Sequence, residues 1–386
     1  MDFFLDVHHI SVNKSGEELC GDKVKVYKNE TKTIIVLSDG LGSGVKANIL
    51  ATLTSEIIVT MLKADVPLQE VIATVIGTLP ICKVRQIAYA TFTIIEVDHT
   101  THHFRVINFD NPPVLYFRNG RLEPLHVTSR DILGQRITIA DGDLHLGDFL
   151  GVMSDGVFHA GLGTAWNFGW GRDNVARHIE NLFLYSVPGA QRIVQDVIAK
   201  TQSLYAGSVG DDTTVVGLYA RERHSLMVFT GPPLEQETDA HYIQRLLDFN
   251  GRKVVCGGTT ATITAAYLGE AIHTELATLR PDVPPIGRLS GIDLVTEGII
   301  TMAKALDEMR ACSAAAARLP LDKNGAVLLA RELLAADSIE FVVGQQINEF
   351  YQNPLLPRNL SIRKNLVEEI AQFLRAQNKE VTVEYC

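Results

Sequence analysis

Two apolar runs in this chain end in the same tripeptide. Thr33-Ile34-Ile35-Val36-Leu37 leads into Ser38-Asp39-Gly40-Leu41-Gly42-Ser43-Gly44, and an apolar-periodic segment starts at Val45. That order predicts a strand, a glycine-rich turn and a helix. Phe149-Leu150-Gly151-Val152-Met153 likewise ends in Ser154-Asp155-Gly156-Val157. Glycines beside a carboxylate at a strand exit let backbone come close to a hard cation. Two further acidic points stand at predicted strand edges: Cys20-Gly21-Asp22, and Gly210-Asp211-Asp212 before Thr213-Thr214-Val215-Val216. Asp22, Asp39, Asp155 and Asp211 make an oxygen-only donor set of the kind Mg²⁺ and Mn²⁺ prefer. The four motifs contain no histidine, and their lone cysteine is Cys20, which argues against zinc.

In this order the motifs Gly-Asp, Asp-Gly-Leu-Gly-Ser-Gly, Ser-Asp-Gly-Val and Gly-Asp-Asp-Thr-Thr-Val resemble the PPM-type metal-dependent serine/threonine protein phosphatases, most of all the bacterial SpoIIE-like branch. Any one of them alone is an ordinary turn; the set in sequence carries the resemblance. It implies an αββα sandwich over 1–220 with a site at one end of its sheets. It also implies two divalent cations, Mn²⁺ or Mg²⁺. Asp39 would touch both, Asp22 and the Gly40 carbonyl one, Asp155 and Asp211 the other; spacing alone leaves open which carboxylate bridges. Asp22 and Asp39 are the residues assigned to catalysis, with hydroxide attacking phosphorus in line and no protein nucleophile. Asp212 is read as supporting the ligands from behind. No arginine near the N-terminus is placed to grip phosphate, as in that branch generally. The expected partner is a phosphoprotein, with an anti-sigma-factor antagonist as the family's suggestion. Two rival readings are a hydrolase of small phosphoesters and a non-enzymatic sensor or docking protein on the same fold.

Elsewhere in 1–220, Lys23 to Lys28 alternates as a strand, and Val45 to Lys63 and Pro67 to Ile76 read as helices. Gln86 to Val97, His103 to Asn108, Val114 to Phe117 and Gln135 to Ile139 read as strands, and Arg172 to Tyr205 as two helices parted at Ser186 to Gly189. The histidines at 99, 102 and 103 lack ligand spacing and suit a solvated hairpin tip, His8 and His9 face opposite sides of a strand, and Asn111-Pro112-Pro113 reads as a structural turn.

The charge run Ala220 to Ser225 is read as a linker, because a new alternation begins beyond it. From 225 to 386, strands and helices alternate, which predicts a smaller doubly wound α/β domain. There Cys256-Gly257-Gly258-Thr259-Thr260 joins a strand to a helix. Glycines and free N–H groups at a helix start suit an anion, so Gly257, Gly258, Thr259 and Thr260 are candidate ligands of a small anionic effector. The alternatives are a plain turn with Thr259 as helix cap, or a dimerisation unit that makes the chain a homodimer.

A net charge of −10 argues against nucleic acid as a partner. No uninterrupted apolar run approaches the ~20 residues of a membrane span. The acidic N-terminal residues Asp2 and Asp6 do not suit a signal peptide, so cytoplasm is the expected location. Five cysteines without CxxC spacing suggest reduced thiols.

Overall fold

The computed structural model describes residues 3–78, 90–163, 167–185, 189–314, 318–346, 359–377 and 379–386. The expected strand start at Gln86–Tyr89, the break at 186–188 and Cys82 lie outside them. The chain forms two compact units, Met1–Glu222 and Arg223–Cys386.

The first unit runs β1 (Phe3–Val12), β2 (Asp22–Lys28), β3 (Lys32–Gly40), α1 (Gly44–Leu62), α2 (Leu68–Thr78), β4 (Ala90–Asp98), β5 (His103–Phe109), β6 (Leu115–Arg118), β7 (Arg121–Glu123), β8 (Val127–Ile132), β9 (Gln135–Asp143), β10 (Phe149–Met153), α3 (Asp155–Phe158), α4 (Arg172–Tyr185), α5 (Ala190–Leu204) and β11 (Thr213–Glu222). The strands make a five-stranded sheet, β1-β11-β10-β6-β7, and a six-stranded one, β2-β3-β4-β5-β9-β8. Alternation along each strand sends successive side chains to opposite faces, so each sheet feeds two cores. Ile35, Leu37, Ile95 and Val106 from one sheet meet Leu150, Val152, Val216 and Leu218 from the other. On the outer faces, Ile34, Val36 and Ile94 pack under α1 and α2, while Phe117, Phe149 and Val215 pack under α4 and α5. This is the αββα sandwich. The helix α1 has the length and hydropathy of a membrane span, yet Ala47, Leu50, Ala51, Ile58 and Leu62 are buried against the sheet. Its expected apolar stripe is therefore only partly core, since Ile49 and Leu53 remain exposed.

The charge run at 220–225 is largely not a linker. Strand β11 continues through Ala220, which is fully buried against its neighbours, to Glu222. Arg221 and Glu222 pair in register with Phe4 and Phe3, so backbone pairing decides the conformation where composition suggested a break.

The second unit runs β12 (Ser225–Thr230), α6 (Asp239–Asp248), β13 (Arg252–Cys256), α7 (Gly258–Leu268), β14 (His273–Glu275), β15 (Ile286–Leu289), β16 (Ile292–Thr296), α8 (Ile299–Ala311), α9 (Gly325–Ala335), β17 (Ser338–Val343), α10 (Asn359–Ala376) and β18 (Glu380–Tyr385). Its sheet order is β14-β15-β16-β13-β12-β17-β18, parallel from β16 to β18. Helices α6 and α7 cover one face through Ile243, Leu246, Ala261 and Ala265. Helices α8, α9 and α10 cover the other through Met302, Leu329 and Val367. The unit is doubly wound, and the chain reverses its direction of travel across the sheet between β12 and β17.

Candidate metal centre

The two Ser-Asp-Gly turns end up at the same end of the sandwich, one on each sheet. In the antiparallel pair β2–β3, Asp22 lies directly opposite Asp39. Directly opposed residues share a sheet face, so one register brings these carboxylates together. On the other sheet, Met153 pairs with Val215, which sets Ser154 and Asp155 beside Asp211 to Thr214. Ser154 N donates to the Thr214 carbonyl at 3.0 Å, and Thr214 N donates to Ser154 Oγ at 2.9 Å.

Glycines allow the close approach. A Cβ on Gly40 would overlap the Ala47 carbonyl oxygen, and one on Gly156 would overlap the Asp212 carbonyl oxygen. A Cβ on Gly21 would stand 2.8 Å from Asp212 Oδ2. Gly42 and Gly44, with φ of +106° and +68°, carry the chain from β3 into α1 through conformations that disfavour other residues.

The electrostatics are those of crowded, buried carboxylates. Burial first, then the charges of Asp22, Asp155, Asp211 and Asp212, hold the Asp39 carboxyl far above its ordinary pKa. Asp22 is raised chiefly by burial and further by Asp212 and Asp155. Asp211 is raised by burial and then by Asp155. Both Asp22 oxygens and Asp212 Oδ2 are buried without a hydrogen-bond partner among the described residues. The Ser154 and Thr214 hydroxyls ease the ionisation of Asp22 but do not cap it. Ser154 Oγ donates to the Asp212 carbonyl at 3.5 Å, and Thr214 Oγ1 to Ser11 Oγ at 2.9 Å. An unpaired buried charge is costly; Lys14 eases the ionisation of Asp211, but among the described residues no cation is among the groups that shift Asp22 and Asp39 most.

That pattern is the test of fit for hard cations. Among the described residues no three His, Cys, Asp or Glu side chains form a closed ligand group as they stand. The donor chemistry nevertheless suits such ions: oxygens only, partly to fully buried, mutually repelling, with orphaned lone pairs at Asp22 and Asp212. Asp22, Asp39, Asp155 and Asp211 are all neighbours by charge, and Gly40 follows Asp39 at the end of β3. Asp212 is more central than a supporting residue need be. It is buried, accepts from Lys14 N at 3.0 Å, and packs on both Gly21 and Gly156.

Several neighbours left no clear sequence signal. Tyr205 donates to the Gly156 carbonyl at 2.7 Å, and burial pushes its hydroxyl pKa up to about 12. His159 Nδ1 lies 3.7 Å from Asp155 Oδ2, one helical turn on. Thr91 faces Asp39 across β3–β4 and donates to Asn111 Oδ1 at 2.6 Å, so the Asn-Pro-Pro turn braces the strand beside the site. The histidines at 99, 102 and 103 surround the β4–β5 hairpin turn.

The family model described as Stage II sporulation protein E (SpoIIE) matches residues 29–221, half of the chain. Asp22 precedes the matched span. No match is found among curated proteins. Among solved structures, the PP2C phosphatase domain with a regulatory fragment of SpoIIE from Bacillus subtilis is 19% identical, with a TM-score of 0.49, over 57% of this chain and 62% of that one. The chain thus spans less than two thirds of that relative. The same phosphatase domain in a form without domain swapping matches at 19% identity and TM-score 0.44, over 57% and 94%. The RsbU and RsbW domains of a Mycobacterium tuberculosis protein match at 16% and 0.47, over 63% and 67%. All three TM-scores fall below 0.5, so the family match carries the assignment.

Proposed function

The chain belongs to the SpoIIE family of PPM-type protein phosphatases, and from that premise we propose that its first unit hydrolyses phosphoserine or phosphothreonine in a protein substrate with the help of divalent cations. The observation that supports this most is the set of orphaned, buried carboxylate oxygens at Asp22 and Asp212, beside Asp39 with its raised proton affinity.

In this reading Asp22, Asp39, Asp155, Asp211 and the Gly40 carbonyl hold two ions, Mn²⁺ or Mg²⁺. When bound, such ions supply Lewis acidity toward water and toward the phosphoryl oxygens. The chain's own part is to arrange the charges, with Asp22 and Asp212 buried and Asp39, Asp155 and Asp211 partly exposed. Gly21, Gly40 and Gly156 let backbone close over the carboxylates. Asp212 accepts from Lys14 N, and its backbone packs on the Gly156 turn that follows Asp155. Tyr205 pins the same turn from outside. No serine, cysteine or histidine is placed as a nucleophile in this proposal. The family suggests an anti-sigma-factor antagonist as the phosphoprotein.

Mn²⁺-dependent turnover of an aryl phosphate and of a phosphoserine protein tests the reading. Turnover of both, lost on chelation and in Asp155→Ala, is the expected result. Faster turnover of sugar phosphates than of phosphoprotein would replace the substrate class, and undiminished activity in Asp155→Ala would remove the site.

A further inference from the structure

The second unit carries an unassigned cluster where its parallel strands end. The strands β13 and β16 finish at Cys256 and Thr296, and each turns through glycine into a helix. The two turns touch: a Cβ on Gly298 would lie 3.4 Å from Gly257 Cα, and Gly257 N donates to the Thr296 carbonyl at 2.9 Å. The starts of α7 and α8 are therefore side by side. Gly257 and Gly298 occupy their cap positions, and no side chain caps either helix. The expected cap by Thr259 is thus not the arrangement found. By contrast, Asn324 caps α9, accepting from Val327 N at 3.0 Å. Uncapped first-turn N–H groups and the helix dipole favour an anion.

A second observation is independent of the helix starts. Thr260 is fully buried, and its Oγ1 has no partner among the described residues. That oxygen points at the Gly257 turn, 3.2 Å from where a Cβ there would be. Glu297 Oε2, in the turn before α8, is buried and equally without a donor. Over Gly258, no atom of the described residues lies within 4 Å of where a Cβ would stand. Across the strand ends, the charge of Glu297 acts on Arg363 of α10, a partly buried guanidinium that donates to the Gly344 carbonyl at 3.0 Å. Buried polar atoms in folded proteins are nearly always satisfied, so an orphaned hydroxyl and carboxylate at one crevice ask for a ligand.

The ligand must satisfy both signs at once. The helix starts and Arg363 suit an anionic group, while Glu297 needs hydroxyl or amine donors. A bare anion would leave the carboxylate unpaired and repelled. We propose that this crevice binds a phosphorylated sugar, with phosphate on the starts of α7 and α8 and sugar hydroxyls on Glu297 and Thr260. In doubly wound sheets, ligands commonly sit at this carboxyl edge of the strands. The Gly257-Gly258-Thr259-Thr260 run matches neither the dinucleotide fingerprint nor the phosphate-binding loop, so the site rests on its atoms and not on a motif.

Titration calorimetry on the full chain in EDTA, which silences the metal centre, tests this with AMP, ribose 5-phosphate and inorganic phosphate. The expected result is saturable binding of at least one sugar phosphate, with inorganic phosphate weaker by roughly tenfold or more. AMP much tighter than ribose 5-phosphate assigns a nucleotide; equal affinities assign the sugar phosphate itself. Glu297→Gln should weaken binding by roughly tenfold or more. Thr260→Val should also weaken it while melting no earlier than wild type, because it replaces an unpartnered buried hydroxyl with a methyl. No heat with either sugar phosphate overturns the proposal. So does inorganic phosphate binding as tightly as both, or wild-type affinity in both variants.

Discussion

Both units put their polar groups at strand ends, but they solve the resulting electrostatic problem in opposite ways. At the end of the sandwich, Asp22, Asp39, Asp155, Asp211 and Asp212 crowd together; among the described residues no arginine or lysine is among the groups that shift Asp22 and Asp39 most, and Lys14 only partly eases Asp211. At the carboxyl edge of the second sheet, the charge of Glu297 acts on Arg363 without an ion pair between them among the described residues, beside helix starts that no side chain caps. The first arrangement is unstable by itself and calls for cations. The second is nearly balanced and calls for a molecule carrying both an anion and hydrogen-bond donors. Burial raises the stakes in both, because low polarity magnifies an unmatched charge as much as a matched one.

The sharpest way to break the contrast is to remove Asp39. Asp39→Ala should abolish Mn²⁺-dependent hydrolysis, yet above pH 8 the metal-free protein should melt no lower than wild type, since one of several repelling charges is gone. Activity near wild type, or a collapse of the fold, would count against the reading.

A backbone change comes next. Gly40→Ala should cost about 1–3 kcal/mol, because its Cβ would overlap the Ala47 carbonyl and the neighbour is backbone, not a flexible side chain. Urea midpoints for the variant and wild type measure it, and an unchanged midpoint would mean that α1 is free to shift away from β3.

A pH series sharpens the comparison further. Burial and neighbouring charge push the Asp39 carboxyl up to about 8 in the folded protein. A raised carboxyl pKa means the native state holds a proton that the unfolded chain has released. Stability in EDTA should therefore fall as pH climbs from the ordinary carboxylate range to about 8. Excess Mn²⁺ should flatten that slope, and Asp39→Ala should reduce it. A metal-free stability that rises over this range would contradict the crowding.

Smaller still is the cap of α9. Asn324→Ala removes the acceptor for Val327 N and should cost ~1 kcal/mol in the second unit, with the aryl phosphatase rate unchanged. The least effect of all is expected from dividing the chain. We propose that a chain ending at Glu222 folds and keeps metal-dependent hydrolysis, since the contacts cluster into two units that part at this residue. An insoluble or molten product would show that the first unit depends on the second.

What local sequence determined is what local chemistry can write. Apolar β-branched runs with Ser-Asp-Gly exits specified strands ending in turns, and their recurrence marked Asp39 and Asp155 before any fold was known. The alternation of strands and helices after Ser225 likewise specified a layered α/β unit. What only the tertiary structure decided is which ends meet. The β2–β3 register sets Asp22 against Asp39, and packing on Gly21 and Gly156 makes Asp212 a buried hub, where the family resemblance implied a supporting place. The same holds for Arg363, which reaches the charge of Glu297 only because the sheet reverses its winding between β12 and β17. Periodicity reports which face of one element is apolar. Pairing register and sheet order depend on contacts between residues far apart in the chain, and no window along the sequence contains both partners.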